Sequence, residues 1–400
     1  MSKPNIRSLS KLDFLKMIPA RKQIIEEAPA QTPPPLDSYK ANELAKQLHP
    51  DFQFLKVSQV IERGEEVKSF VLVPDQEKGC KKLAYFSAGQ YLVIPLKIGN
   101  AKLVRPYSLS SSPKESLQGK YEITVKRVEG GLASQYILDH WQVGTQVRTI
   151  APEGLFTYEP LRDAKHIVGL AGGCGITPFV SLAKAIAEGD EDACLTLIYG
   201  CRTNKDILFK AELEELAQKC EKIKLIYVLS DEPSEGCENG FITADIIRKH
   251  APKSEEYSIF ICGPQAMYDF ADQEIAKLGL RKKFIRHEVF GEYRNPARDA
   301  EYPEVPKDSF KLKVFIRGES TTIDCNANDT LLNSMEKNGI AAPAHCRSGI
   351  CGWCHSKLLS GEVYVPKTVD GRRLADFDYG YIHPCCSFPL SDVEIEVYPR

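Results

Sequence analysis

The sequence of 400 residues lacks several features that define large protein classes. It has no uninterrupted run of roughly 18 apolar residues, so we expect no membrane-spanning helix. The residues from Met1 to Asn5 lack the apolar core of a secretory signal peptide. The net charge is only −2, from 52 basic and 54 acidic residues, and gives no general reason to expect a nucleic-acid partner. The sequence shows no internal repeat and no acid–base or nucleophilic triad.

A regular disulfide framework is also missing. The 13 cysteines are odd in number and are scattered through a long chain. This distribution is typical of thiols that stay reduced, so we expect a cytoplasmic protein. The length exceeds that of one ordinary hydrophobic core and predicts two or three domains.

Three of the cysteines form the most informative motif of the chain. Cys346, Cys351 and Cys354 have the C-x4-C-x2-C spacing of a plant-type [2Fe-2S] loop, which requires one further, distant cysteine. The pair Cys385 and Cys386 supplies two candidates for it. Thiolates are soft ligands suited to iron with sulfide. A structural zinc site is the alternative, although such a site usually shows two separated C-x2-C pairs.

The residues from Cys346 to Cys354 and from Cys385 to Asp392 resemble plant-type ferredoxin domains. In that family the fourth ligand stands before a short polar residue, a serine and then a strand. On that pattern Cys385 is the fourth ligand. Its neighbour Cys386 remains the alternative. The resemblance implies these metal ligands: Cys346, Cys351, Cys354 and Cys385.

Secondary-structure signals between residues 310 and 400 agree with a ferredoxin domain. We expect strands at 311–316 and 321–324, a helix at about 329–337, and a closing strand at 393–397. Together with the cysteine loop they suggest a β-grasp fold.

Short strands rich in β-branched residues are predicted between residues 51 and 160. Several short strands at close spacing indicate a barrel or a sandwich. The predicted strands are 54–61, 67–73, 90–95, 121–127 and 146–150.

A short motif from Arg105 to Ser111, with the sequence Arg-Pro-Tyr-Ser-Leu-Ser-Ser, falls inside this region. A guanidinium group can bind phosphate through two hydrogen bonds, and an aromatic face can stack on a flat ring. Alone, the motif would suit an ordinary strand. It resembles the R-x-Y-[ST]-x-x-[SN] motif of the ferredoxin-NADP reductase superfamily. The resemblance implies that Arg105 pairs with a flavin phosphate, Tyr107 packs on the isoalloxazine, and Ser108 hydrogen-bonds the ring near N5, with Ser111 completing the motif.

A second glycine-containing segment supports the flavin interpretation. Gly130 and Gly131 open a predicted helix directly after a strand, and a helix N-terminus with free N–H groups is an anion site. In the superfamily a G-x-x-S segment holds the flavin pyrophosphate, which here implies Gly131 and Ser134. The run from Pro152 to Phe156 is similar to the closing strand of the family's flavin domain. FAD is therefore the expected flavin, and FMN remains the alternative.

Strands and helices alternate from Ala164 to Gly291, which predicts a parallel sheet with helices on both faces and nucleotides bound beyond the strand ends. Helices are expected at 209–219 and 264–278. The predicted strands are 166–170, 195–199, 224–229, 258–262 and 284–288.

Two loops of this region carry the expected nucleotide site. The glycine-rich run from Gly172 to Pro178 follows the first strand and would let the backbone approach a pyrophosphate. It resembles the nicotinamide loop of the superfamily, and the Cys262-Gly-Pro run resembles the family's C-G-P motif, which implies a thiol beside nicotinamide C4. The ordinary interpretation of Cys262 is a small buried residue. The expected binding residues are Gly172, Gly173, Gly175, Thr177, Pro178, Cys262, Gly263, Pro264 and Phe290. Of the expected residues, those at the point of hydride transfer are Ser108, Thr177 and Cys262.

The choice of nicotinamide cofactor depends on charges after the second and third strands. Arg202 and Lys205 could meet the 2′-phosphate of NADPH. Asp231 and Glu232 would instead repel that phosphate. We expect NADH, with NADPH as the alternative.

The predicted architecture is a multidomain α+β protein. We expect an N-terminal extension and linker at 1–50, an antiparallel flavin-binding barrel at 51–160, a nucleotide domain at 161–291, a linker at 292–309 and a ferredoxin domain at 310–400. This order resembles reductases that serve phthalate dioxygenase, hybrid-cluster protein and phenylacetyl-CoA epoxidase. It implies electron transfer from NADH through FAD and a [2Fe-2S] cluster to an oxygenase or another metalloprotein that docks at the ferredoxin domain.

Two other functions remain open from the sequence alone. The chain could be a redox sensor that binds nucleotide and cluster without turnover, or a reductase that releases free reduced flavin. The four motif residues Arg105, Ser108, Thr177 and Cys262 argue against the first, and the fused ferredoxin argues against the second. The basic, partly apolar N-terminal segment at 1–30 could contact a membrane surface or a partner, but a peripheral helix or a loose tail is the more common role.

Overall fold

A computed structural model describes residues 11–27, 39–289, 293 and 295–398, with the side chains of residues 11–14 excepted. The chain divides between Lys46 and Gln47 into two units. The N-terminal unit contains helix α1 (Lys11–Glu27), and helix α2 (Lys40–Leu48) crosses the division. Of the predicted N-terminal extension and linker at 1–50, residues 1–10 and 28–38 lie outside the described residues. None of the described helices is long and apolar enough to span a membrane.

The first domain after residue 50 is built from antiparallel strands, as predicted. β5, β2, β1 and β6 form one sheet in that order, and β3 pairs with β4 in a second. Phe70, Leu72, Leu92 and Tyr121 fill the space between the strands and are fully buried. The elements are β1 (Gln53–Gly64), β2 (Val67–Pro74), β3 (Tyr91–Ile98), β4 (Ala101–Ser108), α3 (Pro113–Leu117), β5 (Tyr121–Lys126), α4 (Leu132–His140) and β6 (Gln146–Thr149).

The second domain is a six-stranded sheet in the order β10-β9-β8-β7-β11-β12, with every neighbouring pair parallel. The predicted alternation of strands and helices is confirmed, and α7 fills a gap for which no helix bounds were predicted, but the sequence did not predict the short edge strand β10. The elements are β7 (His166–Gly172), α5 (Thr177–Ala187), β8 (Cys194–Cys201), α6 (Lys210–Lys219), β9 (Ile223–Leu229), β10 (Glu238–Asn239), α7 (Ala244–His250), β11 (Tyr257–Cys262), α8 (Gln265–Ala276) and β12 (Ile285–Glu288).

The C-terminal domain has a five-stranded mixed sheet in the order β14-β13-β19-β15-β17, and helix α9 contributes three residues to its buried core: Leu331, Leu332 and Met335. The parallel pairing of β13 with the last strand, β19, is consistent with the predicted β-grasp fold. The elements are β13 (Ser309–Ile316), β14 (Glu319–Asn326), α9 (Leu331–Lys337), β15 (Ser356–Ser360), β16 (Val363–Tyr364), α10 (Leu374–Asp378), β17 (Tyr381–Ile382), β18 (Phe388–Pro389) and β19 (Val393–Val397).

The three domains are in direct contact. Phe156, which follows the last barrel strand, packs edge-on against Phe179 of α5 with ring centroids 5.7 Å apart. The Lys184 ammonium, also on α5, lies 3.0 Å from the carbonyl oxygen of Ser110 and 2.8 Å from the Glu212 carboxylate. Helix α9 of the C-terminal domain lies against strand β4 of the barrel. These contacts surround the end of β4, where the predicted flavin motif lies.

A candidate site shared by three domains

A cavity of about 580 Å³ opens where the three domains meet. Its wall is formed by the end of β4, the start of α4, the loop after β7 and the loop after β11, and by residues of the C-terminal domain. Among the described residues, five cationic side chains line it and no carboxylate does: Arg105, Lys126, Arg127, Lys337 and Arg347. Such a surface suits a ligand that carries phosphate groups.

Strand β4 supplies the side of the cavity on which the flavin motif lies. Successive residues of a strand point to opposite faces, so Arg105 and Tyr107 share one face. The Nη1 of Arg105 donates to the carbonyl oxygen of Val104 at 2.9 Å and to a carboxylate oxygen of Glu336 at 2.8 Å. Burial raises the pKa of Tyr107, so its phenol stays neutral. Ser108 is buried and also lines the cavity.

The start of helix α4 forms an adjacent wall. Gly131 is the N-cap residue, and a Cβ atom there would lie 2.9 Å from both the Ser134 Oγ and the Val128 carbonyl oxygen. The Ser134 hydroxyl accepts a hydrogen bond from the Val128 amide at 3.0 Å. The loop before the helix is therefore held tightly against its first turn, with the positive end of the helix at the cavity.

The glycine-rich loop after β7 continues as a short 3-10 turn, Gly173–Ile176, and then as α5. A Cβ atom on Gly175 would lie 2.2 Å from the carbonyl oxygen of Cys262, and one on Gly172 would lie 2.5 Å from the Met267 sulfur. Gly175 is thus required where this loop meets the backbone at the end of β11, whereas at Gly172 the flexible Met267 side chain would have to move. Burial raises the pKa of the Cys262 thiol, which is therefore protonated at neutral pH.

Most of the site residues predicted from the sequence line this one cavity. They are Arg105, Tyr107, Ser108, Gly131, Ser134, Gly172, Gly173, Gly175, Thr177, Cys262, Gly263 and Pro264.

Of the residues predicted to bind flavin or nucleotide, two do not line the cavity, and a third cannot be placed. Ser111 is fully buried, and its hydroxyl accepts a hydrogen bond from the Glu122 amide at 3.1 Å. Pro178 is buried in the first turn of α5. Phe290 lies outside the described residues.

The cysteine loop places its thiols in two pairs. A hydrogen bond from Cys351 lowers the pKa of Cys346, and a hydrogen bond from Cys354 lowers the pKa of Cys385. Each pair therefore brings two thiols within hydrogen-bond range of each other. The amides of Ser348 and Cys351 both donate to the Cys346 sulfur at 3.4 Å.

This pairing suits two irons better than one zinc. Zinc requires four ligands around one point, whereas a [2Fe-2S] cluster has two irons with two protein ligands each. The Cys386 thiol donates to the carbonyl oxygen of His383 at 3.4 Å and also hydrogen-bonds the Cys385 sulfur.

Several cavity residues were not predicted from the sequence. Asn333 and Lys337, one turn apart on α9, and Arg347, next to Cys346, bring the ferredoxin domain into the wall of the cavity. Lys126 and Arg127 come from the barrel. A single basic or amide side chain carries no specific signal in a sequence. Only the arrangement of the domains therefore identifies these five cavity residues.

In the loops after β8 and β9 of the nucleotide domain, acidic and basic side chains meet. The Nε of Arg202 lies 2.8 Å from a carboxylate oxygen of Asp231, and the Asn204 amide donates to Glu232 at 3.3 Å. The carboxylates predicted to disfavour a 2′-phosphate thus lie beside the residue that could have attracted it.

Three family models match the chain in the expected order. They are an oxidoreductase FAD-binding domain at residues 55–158, an oxidoreductase NAD-binding domain at 170–273 and a 2Fe-2S iron-sulfur cluster binding domain at 314–390. The chain therefore has FAD-, NAD- and [2Fe-2S]-binding domains, which confirms the predicted cofactors.

Characterised proteins match over nearly their whole length. The glycine betaine monooxygenase reductase subunit of Pseudomonas aeruginosa is 29% identical over 351 residues, which are 84% of this chain and 93% of that protein. The ferredoxin reductase component of 3-ketosteroid-9-alpha-monooxygenase from Rhodococcus rhodochrous is 30% identical over 347 residues, 84% and 94% of the two chains. The structure of phthalate dioxygenase reductase matches with a TM-score of 0.62 and 25% identity, covering 87% of this chain and 98% of that one.

The order of the domains, the shared cavity and these similarities lead to one assignment. The chain belongs to the ferredoxin-NADP reductase superfamily, among the reductases that carry a C-terminal plant-type [2Fe-2S] ferredoxin domain.

Proposed function

We propose that this protein is the reductase component of an oxygenase system and transfers electrons from NADH through FAD and a [2Fe-2S] cluster to the oxygenase. The observation that carries the proposal is the cavity in which all three domains meet. It brings the flavin motif of β4, the nucleotide loops around Cys262 and the residue next to Cys346 into one wall. A redox sensor or a free-flavin reductase would have no need for this convergence.

The barrel residues bind and orient the flavin. Arg105 holds a phosphate through its guanidinium group, and the N-terminus of α4 adds backbone N–H groups and a positive dipole. Tyr107 packs against the ring system. When bound, FAD accepts two electrons as a hydride and can release them one at a time.

The residues around the hydride-transfer point hold the nicotinamide in place. Cys262 is buried and neutral, so it packs as a small uncharged side chain at the cavity wall. The Thr177 hydroxyl donates to the Cys174 carbonyl at 3.2 Å, which fixes the start of α5. Close packing of these loops excludes water and fixes the distance between the reacting rings.

The ferredoxin domain is the proposed exit for electrons. Cys346, Cys351, Cys354 and Cys385 would hold the cluster, and of these only Cys351 is exposed. The neighbouring Ile350 has 55% of its surface exposed. We assign the oxygenase contact to this end of the domain because the oxygenase must approach the cluster closely.

The names of the relatives support an oxygenase as partner, because the proteins from Pseudomonas and Rhodococcus are both reductase parts of monooxygenases. The ion pair of Asp231 with Arg202 supports NADH over NADPH. Thirteen unpaired cysteines agree with the reducing conditions of a cytoplasm.

An anaerobic purification followed by NADH addition tests the proposed function. The protein should contain one FAD, two irons and two sulfides per chain, and NADH should bleach both flavin and cluster absorbance. Cys354→Ser should abolish the cluster signal and cytochrome c reduction, while ferricyanide reduction from the flavin continues. Cys80→Ser, a change in a partly exposed cysteine of the barrel, is the matched control and should behave as wild type. Zinc without sulfide, or flavin that NADH does not reduce, would contradict the proposal.

A further inference from the structure

Helix α9 of the ferredoxin domain places one carboxylate between the flavin motif and the cluster loop. The Glu336 side chain is 1% exposed. Its two oxygens accept from the Val104 amide at 3.0 Å, from the Arg105 Nη1 at 2.8 Å and from the Arg347 Nη1 at 2.7 Å. A buried carboxylate is tolerated when charged and polar donors surround it in this way.

The donors to Glu336 come from different domains. Arg105 belongs to the barrel and is the proposed phosphate-binding residue. Arg347 belongs to the ferredoxin domain and directly follows Cys346, the first proposed cluster ligand. Arg347 is 1% exposed and has a left-handed backbone with φ of +61°. Such a backbone persists in a non-glycine residue only where its surroundings hold it, and the ion pair with Glu336 is part of those surroundings.

We propose that Glu336 is a positioning residue that joins the flavin site to the cluster loop, a role that rests on the proposed function. Through Arg105 it orients the phosphate-binding guanidinium, and through Arg347 it holds the cluster loop at the flavin cavity. The ferredoxin domain thereby contributes to flavin binding, and a bound flavin phosphate strengthens the placement of the cluster, because coupling between two sites is reciprocal.

The domain contact does not depend on Glu336 alone, which makes its role testable. Nδ1 of His345 lies 2.6 Å from a Glu153 carboxylate oxygen of the barrel, and the His345 ring stacks on Trp353 at a centroid distance of 3.9 Å. A change at Glu336 should therefore leave the domains together and alter the geometry between the flavin and the cluster.

Glu336→Gln in the full chain tests the proposal, with Glu319→Gln, an exposed residue of the same domain, as control. Three quantities are measured: the Kd of FAD for flavin-depleted protein, the rate of flavin bleaching by NADH at saturating FAD, and the rate of cluster bleaching that follows. We expect E336Q to raise the Kd and slow cluster bleaching by about tenfold each, the scale of a lost charge-assisted contact. Flavin bleaching should stay within about twofold of wild type, and E319Q should change none of the three.

A double variant tests whether Glu336 acts through Arg105. If it does, Arg105→Gln with Glu336→Gln should bind FAD no more weakly than Arg105→Gln alone. Independent, additive losses would overturn this part of the proposal.

Loss of folding in E336Q would be recognised from a missing cluster spectrum. In that case Glu336→Asp, which keeps the buried negative charge on a shorter side chain, is used instead of E336Q. It should also raise the Kd of FAD and slow cluster bleaching. Wild-type Kd and cluster bleaching in a folded Glu336 variant would overturn the inference. A wild-type protein that NADH fails to reduce would instead contradict the proposed function, so the two failures are distinguishable.

Discussion

Replacement of Arg105 by alanine is the most direct test of the flavin site. The guanidinium lines the cavity and is held from one side by the Val104 carbonyl and the Glu336 carboxylate. Alanine removes the proposed phosphate contact and also leaves a buried carboxylate with one cation fewer. We expect weaker flavin binding and a smaller loss of stability.

The size of the effect follows from the contact that is lost. A hydrogen bond to a charged group contributes about 1.5–3 kcal/mol. Since each 1.4 kcal/mol is a factor of ten, the Kd of FAD should rise by roughly 10- to 150-fold. The neighbouring cations Lys126 and Arg127 stay in place, so binding should weaken without disappearing.

Flavin fluorescence gives the Kd directly, because the free flavin emits and the bound flavin is quenched by its surroundings. Arg148→Ala is the matched control, since Arg148 lies on β6 of the same barrel, over the ring of Phe52, and does not line the cavity. Cluster absorbance should persist in both variants. A wild-type Kd for the Arg105 variant would refute the assignment of Arg105 as the phosphate-binding residue.

Four further predictions concern other residues of the molecule. Cys385→Ser should abolish the cluster spectrum and Cys386→Ser should retain it; the reverse result would exchange their roles. Cys262→Ala should leave FAD and cluster bound but slow flavin bleaching by NADH about tenfold, because the nicotinamide is less well placed; an unchanged rate in stopped-flow measurements would exclude a positioning role. Asp231→Ser should raise the ratio of kcat/KM for NADPH to that for NADH about tenfold, since a charge that repels the 2′-phosphate is removed. A constant ratio would show that the 2′ position of the bound nucleotide does not lie near Asp231. Lys184→Met should cost about 2 kcal/mol in urea unfolding, because it removes the buried ammonium that Glu115 and Glu212 share; a loss below about 1 kcal/mol would show that the network is solvated.

The cluster loop and the flavin motif could be recognised from the sequence because their chemistry is local. Ligands on a C-x4-C-x2-C loop, and an arginine two residues before a tyrosine in a strand, must stand at fixed spacing to reach one group. The same holds for the alternation of strands and helices between residues 166 and 288, which predicted the parallel sheet. The sequence left two candidates for the fourth ligand. Cys385 and Cys386 are adjacent, and their distance from the cysteine loop does not distinguish them.

The sequence showed only part of the reason why glycine is found at positions 172 and 175. Gly172 and Gly175 read as phosphate-loop residues, yet in the structure a side chain at either position would collide with the segment that follows β11. Those collisions involve Met267 and Cys262, about 90 residues later in the chain. Ser111 likewise belongs to the flavin motif by spacing, but its hydroxyl satisfies the backbone of Glu122 instead of facing the cavity.

The sequence alone determined the three domains, their order and the chemistry of each motif, because these depend on residue types at short separations. Only the tertiary structure decided how the domains share one cavity. Nothing in the sequence around Glu336, Lys337 or Arg347 connects them with a strand more than 200 residues earlier. That connection exists because α9 packs on β4, and a buried carboxylate must find its positive partners wherever the fold brings them.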